Sequence, residues 1–206
     1  MSKFTYEFEK RTEALETYEW DNVWWDHANT ENVPRVLYIG DSISCATRIA
    51  ATKAAENEIF FDGFGTSKAV DNPYFFESVC LFARQQGTRE AVMFNNGLHG
   101  WHLDDETEYP KAYEELLKRF LKEFEGVPML ILLTTHVSDP ERDARVQVRN
   151  KMVKAIAEKY NLPTVDFYAI TKENEHTISG DGVHLTQDGY KLLAEAVVKK
   201  IRELTA

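Results

Sequence analysis

The chain has 206 residues, with 24 Lys and Arg against 34 Asp and Glu, a formal charge of −10. Hydrophobic residues make up 43% and charged ones 28%, the balance of a globular chain rather than a disordered one. An acidic surface with no Lys/Arg cluster repels phosphate backbones and anionic headgroups, so nucleic acid and membrane are set aside as partners.

Residues 1–34 carry Trp20, Trp24 and Trp25 among many acids and show no regular strand–helix alternation. They are expected to form a helix and an arm packed on a main domain at 35–206, covering a hydrophobic edge or facing a substrate. The first ten residues hold no apolar leader, and no apolar run approaches the ~18 residues of a spanning helix. With two cysteines, Cys45 and Cys80, a disulfide framework is excluded, and a cytoplasmic setting is expected.

From residue 35 onward, compact apolar runs alternate with helical periodicity. The runs lie at 36–39, 59–61, 91–94, 129–133 and 164–167, each short, bounded by polar residues and poor in polar–apolar alternation. That is the pattern of parallel strands covered on both faces. Between them, 46–56, 73–86, 106–125 and 140–159 are long enough for crossover helices, and 187–204 closes the chain as a last helix. In the third, Tyr113, Leu116, Leu117, Phe120, Leu121 and Phe124 recur every three or four residues and make one apolar stripe. Right-handed crossovers then give a three-layer αβα sandwich around five parallel strands in the flavodoxin-like order 2-1-3-4-5. Reactive groups in such a sheet gather beyond the carboxyl ends of its strands.

The turns at those ends hold the polar residues of interest. After the first run comes Gly40-Asp41-Ser42-Ile43, which places a hydroxyl at a helix N-terminus, where free N–H groups face developing negative charge. Ser42 would serve equally as a plain helix cap. The second run ends in Asp62-Gly63-Phe64-Gly65, and a glycine N–H there is a candidate oxyanion donor. The third ends in Phe94-Asn95-Asn96-Gly97, where an asparagine amide can aim at the same oxygen. The last loop contains Asp181 three residues before His184; such an acid can fix the ring's tautomer and leave its other nitrogen to accept a proton.

Taken together, the four blocks resemble the SGNH (GDSL-type) serine hydrolase family over about residues 35–200, leaving the arm outside. The resemblance implies an esterase in which Ser42 attacks a carbonyl, His184 is its base and Asp181 orients His184. It also implies an oxyanion hole of the Ser42 and Gly65 N–H groups with the Asn95 side chain. Asn95 is preferred to Asn96 because it stands two residues after Met93, and Gly65 is preferred to Gly63. The third block departs from the family's Gly-x-Asn-Asp, having Met93 in place of the glycine and Asn96 in place of the aspartate.

His99, Trp101 and His136 also fall on loops after strands and are candidate substrate contacts. His99 and His102 with Asp104 and Asp105 are the residue types of a zinc site, but such a site needs three or four convergent ligands, and Gly100-Trp101 suggests a loop rather than a helix face. Arg142, Arg145 and Arg149 read as a solvated or salt-bridged helix face. The expectation is therefore a cofactor-free serine esterase for a small, acetyl-type ester, and an acetylated oligosaccharide suits the polar and aromatic loops. The alternatives are an acyl thioesterase or lysophospholipase on the same scaffold, or a non-catalytic carbohydrate-binding relative.

Overall fold

The computed structural model describes residue 15 and residues 18–205. Much of the arm, residues 1–14, 16 and 17, lies outside these. The helix expected in the arm has no counterpart in 18–34, which hold a strand instead. This strand, β1 (Asp21–Trp24), pairs antiparallel with β3 (Phe60–Thr66) and is exposed throughout.

The main body follows the expected alternation. In chain order it runs β2 (Arg35–Gly40), α1 (Ser42–Ala54), β3, α2 (Phe75–Gln86), β4 (Ala91–Phe94), α3 (Glu108–Glu123), β5 (Met129–Leu133), α4 (Pro140–Lys159), β6 (Thr164–Asp166), α5 (Phe167–Glu173), a 3₁₀ turn (Glu175–Thr177) and α6 (Gln187–Thr205). The sheet order is β1-β3-β2-β4-β5-β6. Its last five strands are parallel and match the expected 2-1-3-4-5; the arm supplies a sixth, antiparallel edge strand.

Strand alternation divides the core between two faces. Val36, Tyr38, Met93, Leu130 and Leu132 pack with α1 and α6 residues such as Ile43, Leu193 and Val197. Leu37, Ile39, Val92, Phe94 and Ile131 pack with Phe75 and Val79 of α2 and with Tyr113, Leu117 and Phe120 of α3. Because both sides of each central strand are covered, β2 and β4 read as unbroken apolar runs. Aspartates set several helix starts: Asp41, Asp139 and Asp166 accept the N–H groups of Ile43, Arg142 and Ala169, satisfying donors the helices cannot. The cap at Asp166 also explains why the last strand stops there and turns into α5, where the apolar pattern alone carried it through Phe167.

Candidate active site

The nucleophile turn is built first. β2 ends at Gly40, Asp41 caps α1 in an extended conformation, and Ser42 opens the helix. The Asp41 carboxylate accepts the Ile43 N–H at 2.9 Å and its carbonyl accepts the Ser44 hydroxyl at 2.6 Å, so the turn is held from both ends. Asp41 is fully buried, and burial raises its pKa, partly offset by His99 and the Ile43 N–H. Its role is to brace the turn. The Ser42 N–H is among the first of the helix, where donors have no partner within the helix itself.

Residues 142 positions apart then meet. The Ser42 hydroxyl lies 2.8 Å from His184 Nε2, and His184 Nδ1 lies 2.7 Å from Asp181 Oδ2. The other oxygen, Asp181 Oδ1, accepts the N–H groups of Val183 and His184, each at 2.9 Å, and the Ser179 hydroxyl at 2.8 Å. Burial alone would raise the Asp181 pKa, but the N–H donors, His184 and Ser179 together hold it well below the usual carboxylate range. An ionised Asp181 can only accept, so Nδ1 carries the proton and Nε2 is free to take one from Ser42. The loop is fastened to the turn after β5 by the Ser138 N–H, which donates to the Gly182 carbonyl at 2.8 Å.

Of the remaining donors, Gly65 is not where the sequence put it. The Ser67 N–H donates to the Trp20 carbonyl, and antiparallel pairing alternates, so Asn22–Gly65 is the next hydrogen-bonded pair. The Gly65 N–H therefore faces β1 inside the ladder and is not an oxyanion donor; Gly63, opposite Trp24, has the same orientation. Gly65 is instead needed for close packing, since a Cβ there would stand 2.5 Å from Cys45 Sγ beneath α1. The edge strand that the sequence did not reveal is what occupies this donor.

Both asparagine amides are engaged, on opposite sides, and Asn95 comes first. Its amide donates to the Leu132 carbonyl of β5 at 2.9 Å and lies 3.5 Å from the Thr134 hydroxyl, so it ties two strand ends together. The Asn96 amide turns the opposite way and donates to the Lys68 carbonyl at 3.0 Å, crossing the end of β2 toward the loop after β3. An amide nitrogen carries two hydrogens, and one remains for a ligand on that path.

Of the expected substrate contacts, Trp101 and His136 are turned inward. Trp101 is 5% exposed and lies under Arg145 and Arg149, whose guanidinium carbons stand 5.0 and 4.4 Å from its ring centroid; it anchors the loop rather than offering a stacking face. His136 Nδ1 contacts Asp143 Oδ1 at 2.5 Å, and the same carboxylate takes the Tyr168 hydroxyl at 2.8 Å, a buried cluster joining α4 to α5. His99 is buried too, with its ring edge-on to Trp20 at 6.3 Å. His102 pairs with Asp71, and Asp105 with Arg145 and Arg149. Among the described residues no three His, Cys, Asp or Glu side chains converge as metal ligands.

Of the two readings of the arginine face, the salt-bridged one holds for Arg145 and Arg149, which share Asp105, and Arg149 is in addition buried. Its side chain is 1% exposed and its guanidinium donates to the carbonyls of Gly97, His99 and Gly100 at 3.1, 2.7 and 2.9 Å and to Asp105 at 2.6 Å. It gathers the loop that follows Asn96. A signal was present: Arg149 falls three residues after Val146 and four before Val153, on the helix's buried stripe.

A serine, an imidazole and a carboxylate in relay at the carboxyl end of a parallel sheet define a hydrolase of the acyl-transfer class. The model of the GDSL-like lipase/acylhydrolase family matches residues 94–197, half of the chain. The chain belongs to this family and is a carboxylic ester hydrolase. No curated protein sequence matches it. Among solved structures it is similar to a lipase/acylhydrolase from Enterococcus faecalis, with a TM-score of 0.67 at 17% identity over 83% of this chain and 96% of that one. It is also similar to Axe2, an acetylxylan esterase from Geobacillus stearothermophilus, with a TM-score of 0.62 at 17% identity over 84% and 96%. A third is the catalytic domain of peptidoglycan O-acetyltransferase A from Streptococcus pneumoniae, with a TM-score of 0.65 at 18% identity over 84% and 94%. At these identities the likeness establishes the fold.

Proposed function

We propose that the protein is a serine esterase that removes small acyl groups, acetyl foremost, from a carbohydrate alcohol through an acyl-enzyme. The observation that carries the reading is the unbroken relay of 2.8 and 2.7 Å from Ser42 through His184 to Asp181. His184 Nε2 takes the Ser42 proton as Oγ bonds to the carbonyl carbon, and the tetrahedral oxyanion sits between the Ser42 N–H and the Asn96 amide. Collapse expels the alcohol, to which His184 returns the proton. Water then repeats the cycle, with His184 again as base, and releases the carboxylic acid.

Two features support a carbohydrate acetate. The His184 and Asp181 side chains are 43% and 52% exposed, so the side on which the alcohol departs opens to solvent and admits a bulky hydrophilic group. Two of the structural neighbours bear names that place acetyl transfer on polysaccharides. The test is a substrate panel of acetylated xylo-oligosaccharides, acetyl- and palmitoyl-CoA, and lysophosphatidylcholine. The reading predicts the highest kcat/KM on the acetylated sugars. A preference for the long-chain thioester or the lysolipid would replace it with the thioesterase or lysophospholipase alternative.

A further inference from the structure

The order of strand ends across the sheet assigns the two halves of an ester to opposite sides of Ser42. His184 comes from a loop fastened to Ser138, after β5. On the other side of β2 lies β3, and past its end the arm is pinned. The Trp20 N–H donates to the Ser67 hydroxyl at 2.9 Å, and the Trp20 carbonyl takes the Thr66 hydroxyl and the Ser67 N–H, each at 3.1 Å. Glu19 adds contacts from its two oxygens to Ser67 and Asn72 at 2.9 and 3.1 Å. Trp20 is thereby held at the carboxyl end of the sheet, half-buried.

Its ring does not stay over β3. It meets the ring of His99, which belongs to the loop after β4, with centroids 6.3 Å apart and planes at 75°. Since β2 lies between β3 and β4, a contact joining those two loops lies past the end of β2, the strand that Ser42 follows, and His99 acts electrostatically on Asp41, the residue before Ser42. The Asn96 amide, donating to Lys68 at 3.0 Å, joins the same two loops. In an acyl transfer the leaving oxygen must face His184, which protonates it, and the carbonyl oxygen must face the Ser42 N–H and Asn96. The acyl substituent is left to run away from His184, toward the arm.

We propose that Trp20, carried to the site by the arm, walls the acyl side together with His99 and limits the substrate to short acyl groups. The proposal rests on the serine-esterase reading above and adds a specificity determinant. It lies outside residues 94–197, the segment the family model matches. An aromatic wall excludes added methylenes by sterics, and each methylene accommodated in an apolar pocket changes kcat/KM by roughly tenfold or more.

The test compares p-nitrophenyl acetate, butyrate and hexanoate with the 206-residue chain, arm included. In Trp20→Ala the hexanoate-to-acetate ratio of kcat/KM should rise about tenfold or more. Trp20→Phe, which keeps an aromatic against His99, should shift it in the same direction by less and holds the test open if the alanine variant does not fold. A ratio within about twofold of wild type in a folded variant overturns the proposal. Wild-type turnover that persists in Ser42→Ala overturns the esterase reading beneath it, so the two failures are told apart.

Discussion

Replacing Arg149 with methionine keeps the stem and removes the charge. The structure indicates a large cost. The guanidinium is the donor for three loop carbonyls and for Asp105, all at 3.1 Å or less, inside a region closed to water. Asp105 keeps Arg145 as partner at 2.5 Å, so its charge is not abandoned. What is lost is chiefly the donor for the carbonyls of Gly97, His99 and Gly100, with each orphaned buried acceptor costing ~1–3 kcal/mol. Contacts with the faces of Trp101 and Tyr109, at 4.4 and 4.3 Å, add ~0.5–2 kcal/mol. A buried ion pair can often be exchanged for apolar groups without loss, but here the partners are backbone carbonyls that no substitution removes. The expected destabilisation is therefore at least about 3 kcal/mol, or a fall in Tm of about 6–12 °C or more for a chain of this size. Because the same loop begins at Asn96, kcat should fall as well. Urea unfolding, a thermal scan and steady-state kinetics read this out, and Arg149→Lys should recover less than half of the lost stability, since an ammonium cannot reach the same acceptors in a fork. A loss below about 1 kcal/mol in Arg149→Met would refute the clamp.

The oxyanion assignment separates the two asparagines: Asn96→Ala should lower kcat by ~10²–10³-fold, whereas Asn95→Ala should chiefly lower stability through the lost tie to Leu132. Steady-state kinetics paired with urea unfolding distinguishes them, and the reverse pattern would return the role to Asn95. Gly97→Ala places a Cβ 1.9 Å from the Thr134 hydroxyl oxygen and 2.8 Å from its Cβ, in a buried seam, and should destabilise by ~1–3 kcal/mol in urea unfolding. At the surface, hydrogen bonds from Lys159 and Tyr160 push the Glu114 pKa down to about 2 from 4.5. A depressed carboxyl contributes stability above its unfolded pKa and loses it as the pH falls toward the folded one. Glu114→Gln should therefore be less stable than wild type at pH 6, with the gap closing between pH 4.5 and 2.

What the sequence made legible was local. Gly40-Asp41-Ser42 and Asp181-x-x-His184 lie on single turns whose geometry follows from their own residues, and the alternation of runs and helices sets the parallel order. What it concealed depends on pairing across the chain. Asp21–Trp24 is too short and too exposed to read as a strand, yet its pairing with β3 decides where the Gly65 N–H points. Adjacent asparagines at a strand end face opposite neighbours, and only the flanking strands show which is which. Arg149 looked like one of three charges on a helix face, until the loop it grips supplied the acceptors that make a buried charge tolerable.

The central claim is that Ser42 is the nucleophile driven by His184. Treating the folded protein with a fluorophosphonate and mapping the adduct by peptide mass spectrometry tests it most directly. The account predicts a single stoichiometric adduct at Ser42, slowed about a hundredfold or more in His184→Ala, with ester turnover lost in Ser42→Ala. An adduct on another residue, or an unmodified Ser42 in protein that still turns over ester, would contradict it.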